Sequence, residues 1–368
     1  MECDIEKLVL NAKQPCVLRK LHIPWKLFDL SFEEWCKNYD DGINKKLEFE
    51  EASYFYKDSP QWERYRKKKR MKLSEFWKFQ QNESTPEKWV TFSYKNLQEI
   101  PQSCREGIDF KFCGFPEQRD ISFWLSSAGA HTPCHFDTYG CNIVVQVYGR
   151  KMWLLFPPDS NLTPIRVPYE ESSVYSFETF YNIEQKCYKC ILEPGDVLIV
   201  PNKWWHYVES LTSSLSINTW IPLVEYIVKK LTQSEGNNEI MHFLNPNEVG
   251  QLGEDGEHLS ILSYLFQILT SNGDFDVEIK GYTYRNLEET ELCKIAESLQ
   301  TEWLPKLSAN EFYELVKQQS SRYKPQEDEP KNALETKMKE ALINSLCNPN
   351  TICKVKELFT NYVKTLVT

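Results

Sequence analysis

Apolar and polar positions change rhythm twice along the 368 residues. Up to about residue 109 the apolar side chains are irregularly spaced, with one clear helix start. Ser31-Phe32-Glu33-Glu34 has capping-box order, and Leu30 and Trp35 flank it in staple positions. This stretch reads as helices with irregular joins. From about residue 107 short β-branched runs take over. Ile121–Ser126, Asn142–Tyr148, Lys151–Phe156, Cys187–Leu192, Val197–Val200 and Leu215–Trp220 read as strands. Gly149-Arg150, Pro157-Pro158, Pro194-Gly195-Asp196 and Pro201-Asn202 supply turns between them. Many short strands with tight turns predict an antiparallel sandwich or barrel. Beyond Trp220-Ile221-Pro222 helical spacing appears: Leu292, Ile295, Leu299 and Trp303, then Phe312, Leu315 and Val316 behind a Ser308/Glu311 capping box. Leu334, Met338, Leu342 and Leu346 form another stripe, and Ile352, Val355, Phe359, Tyr362 and Leu366 the last. Ser320–Lys331, polar with two prolines, reads as an exposed linker. The expectation is an α+β chain in three parts: a helical flank (1–109), a β core (110–222) and a mainly helical region (223–368).

Composition narrows the classes. Apolar residues make up 41% and charged residues 26%, which suits a chain that buries a core. No apolar run approaches the roughly 20 residues of a membrane-spanning helix. The start, Met1-Glu2-Cys3-Asp4, is acidic where a secretory signal is basic, so the expected location is cytoplasmic, with the nucleus as a second possibility. Net charge is −10, of which −8 falls in residues 223–368. That sign is wrong for a dedicated nucleic-acid binder. The one basic run, Arg64–Arg70, suits a nuclear localisation signal or phosphate patch, or more plainly a solvated helix face or loop. Twelve cysteines without a secretion signal predict reduced thiols. The single CxxC, Cys187–Cys190, lacks the second pair that a structural zinc site needs.

Two of the six histidines stand in telling surroundings. In His135-Phe136-Asp137, strand alternation turns His135 and Asp137 to one face. His206, in Lys203-Trp204-Trp205-His206, offers a second imidazole from another strand. Two imidazoles and one carboxylate with open positions typify non-haem iron(II) oxygenases. By itself an HxD is weak, since a histidine beside an apolar run is more often a hydrogen-bonded core residue. Lys151 opens the apolar run Met152–Phe156. It either faces inward toward an anionic partner or snorkels out at the strand edge, and the sequence leaves both open.

Several strings occur in a telling order: Thr132-Pro133-Cys134-His135-Phe136-Asp137, Gly149-Arg150-Lys151 leading to Leu155-Phe156-Pro157-Pro158, Glu193-Pro194-Gly195-Asp196, Trp204-Trp205-His206 and Ser216-Ile217-Asn218-Thr219-Trp220. Together they resemble a JmjC domain of the 2-oxoglutarate-dependent oxygenases. The resemblance implies a double-stranded β-helix, the cupin-like jelly roll. It implies iron(II) held by His135, Asp137 and His206. It also implies 2-oxoglutarate held through Lys151 with help from Thr132, with Asn142 and Asn218 lining that pocket, and O2 as co-reactant. Gly129–His135, Tyr139–Asn142, Pro168–Val174 and Trp204–Ser210 further resemble the JmjC branch associated with small heat shock proteins, which implies a stress-response role beside a chaperone partner. The leading expectation is a protein side-chain hydroxylase. Lysine demethylation uses the same core, but no second cysteine pair suggests a chromatin-reading zinc module. An RNA-base hydroxylase draws modest support from the near-neutral first part of the chain and the Arg64–Arg70 run. A scaffold that docks a small heat shock protein without catalysis is the alternative from another class. The C-terminal stripes need an apolar partner, either the β core or a second subunit in a homodimer.

Overall fold

The computed structural model describes residues 2–43, 45–53, 67–81, 88–115, 120–137, 140–160, 162, 172–174, 186–221, 277–279, 282–284 and 287–320, with positions 354, 357, 358 and 361. In chain order the elements are α1 (Glu2–Asn11), β1 (Cys16–Leu18), α2 (Phe32–Ile43), β2 (Leu47–Ser53), β3 (Lys67–Met71), α3 (Leu73–Gln81), β4 (Lys88–Asn96) and α4 (Gln102–Arg105). The central strands follow: β5 (Ile121–Ser126), β6 (His131–Phe136), β7 (Cys141–Tyr148), β8 (Lys151–Phe156), β9 (Ser172–Val174), β10 (Tyr188–Leu192), β11 (Val197–Val200), β12 (Trp205–Ser210) and β13 (Ser214–Ile221). Last come β14 (Val277–Ile279), β15 (Tyr282–Tyr284), α5 (Glu289–Ser298), β16 (Thr301–Trp303) and α6 (Ala309–Ser320). A nine-stranded sheet runs β16-β1-β11-β7-β13-β5-β4-β2-β3, a five-stranded sheet runs β10-β8-β12-β6-β9, and β14-β15 form a separate pair. The pairing between neighbours is antiparallel throughout, as the tight turns predict.

Alternation explains how runs that look continuously apolar build two different surfaces. On β7 and β13, Ile143, Val145, Val147, Leu215, Ile217 and Ile221 join one core cluster with Leu8, Trp35 and Phe76 of the N-terminal helices. The intervening Asn142, Ser216 and Asn218 face a cavity between the sheets. On β8 and β12, Met152, Leu154, Phe156, Trp205 and Tyr207 pack with Phe312, Leu315 and Val316 of α6. Trp153, Leu155, Val144, Leu198 and Val200 form the core between the two sheets. The layers are therefore helices, large sheet, small sheet and α6, with the inner faces partly apolar and partly polar.

The jelly-roll core agrees with expectation, and α2 starts after Ser31 with the capping box made: Glu34 N donates to Ser31 Oγ at 3.2 Å and Ser31 N to Glu34 Oε2 at 2.8 Å. Two expectations are corrected. The first hundred residues are not only helical, because β1 to β4 belong to the large sheet. Their apolar positions are masked by the charges of an edge: β3 reads Lys-Lys-Lys-Arg-Met and ends the sheet. The helical stripe through Trp303 also overruns. Gln300 adopts a left-handed φ of 52°, α5 stops at Ser298, and Trp303 lies on β16 beside Cys16 of β1. The Ser308/Glu311 box is present, with Ser308 N donating to Glu311 Oε2 at 2.8 Å. Leu292, Ile295, Leu299 and Trp303 pack on the chain's own core, as do Phe312, Leu315 and Val316, so these stripes are used within one subunit. The linker after Ser320 and the stripes from Leu334 and Ile352 lie outside the described residues, apart from four single helical positions.

Candidate metal centre and cosubstrate pocket

His135 and His206 face each other across β6 and β12 as direct register partners, their ring centroids 4.3 Å apart. Asp137, two residues past His135, comes within 3.6 Å of His135 Nε2 through Oδ1 and 3.7 Å of His206 Nε2 through Oδ2. All three residues are buried, and among the described residues they are the group of side chains able to share an ion. Each imidazole has its other nitrogen on a backbone carbonyl two residues back: His135 Nδ1 on Pro133 O at 2.8 Å and His206 Nδ1 on Trp204 O at 2.9 Å. A carbonyl only accepts, so Nδ1 carries the proton and Nε2 keeps its lone pair for a metal. Burial, with His135 beside it, pushes His206 down to about 4, which leaves it neutral near pH 7. Burial pushes the Asp137 carboxyl up, but the two histidines and the Trp220 N–H outweigh it and hold it well below the usual carboxylate range. Two neutral imidazoles and one carboxylate are the protonation states a divalent cation needs.

Asp137 is held from the opposite sheet. Its Oδ2 accepts from Asn142 Nδ2 at 3.0 Å and from Trp220 Nε1 at 2.8 Å. Asn142 Oδ1 in turn accepts from Asn218 Nδ2 at 2.8 Å, and Asn218 Oδ1 accepts from Trp124 Nε1 at 2.7 Å. These groups border a cavity of about 480 Å³ that also takes in Thr132, Lys151, Ser126 and Ser210. Lys151 faces inward and is only 6% exposed, so it does not snorkel. Among the described residues its Nζ has one long bond, 3.4 Å to Trp124 O, and no carboxylate within ion-pair distance. Burial alone pushes the ammonium down to about 7. The turn before it is demanding. Gly149 has φ +65°, and a Cβ there would lie 1.9 Å from Ser213 O.

A family model described as the cupin-like domain matches residues 3–222. The chain belongs to that family. Within it, this cupin-like protein is 32% identical over 301 residues to HSPB1-associated protein 1 of Homo sapiens, covering 71% of this chain and 60% of that protein. It is 31% identical over 291 residues to HSPB1-associated protein 1 of Bos taurus, covering 68% and 59%. The match thus spans less than two thirds of either relative. It is also 38% identical over 123 residues, 30% of this chain and 28% of the other, to Lysine-specific demethylase JMJ30 of Arabidopsis thaliana. The solved structure of YcfD, a ribosomal oxygenase from Escherichia coli, aligns over 78% of this chain and 62% of that one at a TM-score of 0.33 and 13% identity, a likeness too loose to inform function. The JmjC resemblance read from the motifs therefore stands.

All seven residues singled out from the motifs border one cavity of this cupin-like domain: His135, Asp137, His206, Lys151, Thr132, Asn142 and Asn218. Trp124 and Trp220 were missed. Both sit at strand positions facing inward, i ± 2 from Ser122 or Asn218, and that parity was the signal available. Tyr94 was missed as well. It sits at a bulge between Ser93 and Lys95 of β4, with φ 57°, and is 56% exposed. A bulge beside a site re-aims a side chain. Here it sets the Tyr94 ring against Trp124 at 5.4 Å and Trp220 at 6.1 Å, at the cavity mouth. The basic run is corrected too. Its described part is strand β3, and each base there has a carboxylate within 4 Å on β2: Lys67 and Lys69 reach Glu51, Lys68 reaches Glu50 and Glu48, and Arg70 reaches Glu48. Charge on an exposed edge strand deters pairing with another chain. Cys187 and Cys190 are buried in different clusters, which leaves no zinc pair there.

Proposed function

We propose that this protein is an iron(II)- and 2-oxoglutarate-dependent oxygenase that hydroxylates a side chain of a protein substrate. The observation that carries the reading is Lys151, a buried ammonium without a carboxylate partner among the described residues, in the cavity that also holds His135, Asp137 and His206. Burying a cation unpaired is costly, and a bound carboxylate would offset that cost. The donor set, two imidazoles and one carboxylate, suits iron(II) and leaves positions open. When bound, iron(II) with 2-oxoglutarate and O2 supplies the oxidation: R–H gains one oxygen atom as R–OH, while 2-oxoglutarate loses CO2 and takes the other oxygen as succinate. The chain's own residues bind and orient. His135, Asp137 and His206 would hold the metal. Lys151 would take the far carboxylate of 2-oxoglutarate, with the Thr132 hydroxyl beside it. His206 lies opposite Leu155 on β8, four residues from Lys151, or about 13 Å along the strand, a separation that the lysine side chain and a five-carbon diacid together bridge. Val144, Trp153 and Val208 supply apolar lining to the cavity.

A protein substrate fits the mouth better than RNA. The bases of β3 are paired with Glu48, Glu50 and Glu51, and Glu48 and Glu50 line the opening together with Lys68 and Lys95, a rim of mixed charge without the one-sign positive field that suits a phosphate backbone. Two relatives carry names that associate them with HSPB1, so a small heat shock protein is the first partner to try, and the stress-response role and cytoplasmic location expected from the sequence belong with that reading. The test is to incubate the full chain with iron(II), ascorbate, 2-oxoglutarate and a small heat shock protein, then measure succinate and partner mass. A gain of one oxygen with matching succinate is expected. Formaldehyde with loss of a methylene's mass would replace hydroxylation by demethylation. Stable partner binding with no succinate would replace it by a scaffold.

A further inference from the structure

We infer that Trp124 and Trp220 are positioning residues that fix the Asp137 carboxylate for metal binding, Trp220 directly and Trp124 through Asn218 and Asn142. The inference rests on the metal reading above and concerns how the chain orients one ligand. Oδ2 of Asp137 receives two N–H donors, Asn142 Nδ2 at 3.0 Å and Trp220 Nε1 at 2.8 Å, which come from register partners on β7 and β13. With both donors in place the lone pairs of Oδ2 are occupied, and Oδ1, 3.6 Å from His135 Nε2, is the oxygen left to an ion.

An asparagine can donate or accept with nearly the same shape; the carboxylate calls for the Asn142 N–H, and the chain behind Asn142 reinforces that orientation. Asn218 Nδ2 donates to Asn142 Oδ1 at 2.8 Å, and Asn218 Oδ1 accepts from Trp124 Nε1 at 2.7 Å. One end of this chain is an indole, which can only donate. The other end is an ionised carboxylate, which can only accept. All three bonds must then run one way, and both amides are locked without a choice of orientation. Removing the indole N–H leaves the carboxylate alone to hold this order: Asn218 Oδ1 loses its donor, and the support behind Asn142 loosens. A less firmly held Asn142 would let the Asp137 carboxylate drift from the rotamer that aims it. Tyr94 packs against both indoles, so one ring at the mouth steadies both routes to Oδ2.

The test uses cobalt(II), whose visible bands report ligand geometry, on the full chain without 2-oxoglutarate. Trp124→Phe and Trp220→Phe each keep a ring and lose the N–H. Each is expected to weaken cobalt(II) about 10- to 100-fold, as loss of a partner to a metal ligand does. Each should also change the cobalt(II) visible spectrum in protein whose thermal unfolding stays cooperative, a change that looser packing alone would not produce. If Trp124→Phe does not fold, Trp220→Phe examines the same oxygen by the shorter route. Wild-type affinity and an unchanged spectrum in the folded variants would overturn the positioning role while leaving the metal site standing. No cobalt(II) binding by the wild type would overturn the metal reading and this inference with it.

Discussion

Replacing Lys151 by Met tests the cosubstrate reading from two sides. Lys151 is the one group in the cavity whose charge is costly to the empty protein and useful to a bound diacid. Burial has brought it to about 7 from an ordinary 10.5. At pH 7 about half of the empty sites carry the proton, and at pH 9 about one in a hundred. A carboxylate binds the protonated form, so 2-oxoglutarate affinity should fall roughly 50-fold from pH 7 to pH 9. Proton uptake per ligand should rise from about one half to about one. His206, at about 4, and Asp137, lower still, do not titrate in that window. Calorimetry in two buffers of different ionisation enthalpy, with manganese(II) in place of iron, counts the protons. Lys151→Met should lose about 30-fold to several-thousand-fold in 2-oxoglutarate affinity, the roughly 2–5 kcal/mol of a broken buried charge pair, and lose the pH dependence too. Stability should move the other way. The folded lysine has a depressed pKa, so between about pH 7 and 10.5 the unfolded chain binds more protons. Wild-type stability then rises with pH across that window by up to about 1.4 kcal/mol per unit and sits at its low plateau below it. The methionine variant lacks this slope, so its advantage over the wild type is greatest at and below pH 7. Affinity that ignores pH without proton uptake, or a methionine variant that binds 2-oxoglutarate like the wild type, would refute the reasoning.

Two further perturbations separate the pocket from the frame around it. Gly149→Ala puts a Cβ against Ser213 O in a left-handed turn, should cost about 1–3 kcal/mol by thermal unfolding, and should weaken 2-oxoglutarate more than cobalt(II), because the turn delivers Lys151. Arg19→Ala removes the guanidinium that bonds Asp196 at 2.7 Å and Glu302 at 2.6 Å. Amide exchange should quicken in Thr301–Trp303 while cobalt(II) affinity stays within twofold. In the wild type the Arg19 hydrogen bond holds the Glu302 carboxyl below its ordinary value, so this tie is present above about pH 4.5 and is lost as pH falls through the depressed value.

What could be read from the chain follows from what a strand reveals and what it hides. The central strands were legible because β-branched runs between glycine and proline turns have few other readings. His135, Asp137 and His206 were legible because histidine is rare in the chain and the surrounding strings match a motif. The N-terminal strands were not, since β1 is only Cys16–Leu18 and β3 is built of bases that resemble a solvated run. Their strand character comes from long-range partners, Leu198 for Val17 and Glu48 for Arg70, which no local window contains. The same holds at α5, where helical periodicity continues to Trp303 but the left-handed Gln300 and the free edge of β1 end the helix.

The site shows why the motif was necessary and still insufficient. Every side chain that could ligate a metal here comes from the small sheet or the turn leaving it, whereas the groups that orient Asp137 come from the large one. A motif scan finds the first set because it is compact in sequence. The second set is spread over Trp124, Asn142, Asn218 and Trp220, on three strands that only the fold brings side by side. What unites them is parity. Each occupies the inward position of a strand whose alternate residues fill the helix-covered core. Asn142 and Asn218 are buried at such positions and must find partners across the cavity, and the partly buried indoles of Trp124 and Trp220 supply N–H donors. The four find one another and Asp137, and the bonds they make can point in one direction only. Orientation of the carboxylate is thus a property of the two sheets together, and a fragment that kept the His-x-Asp strand and His206 but lost β5 or β13 would keep the ligands without the means to aim them.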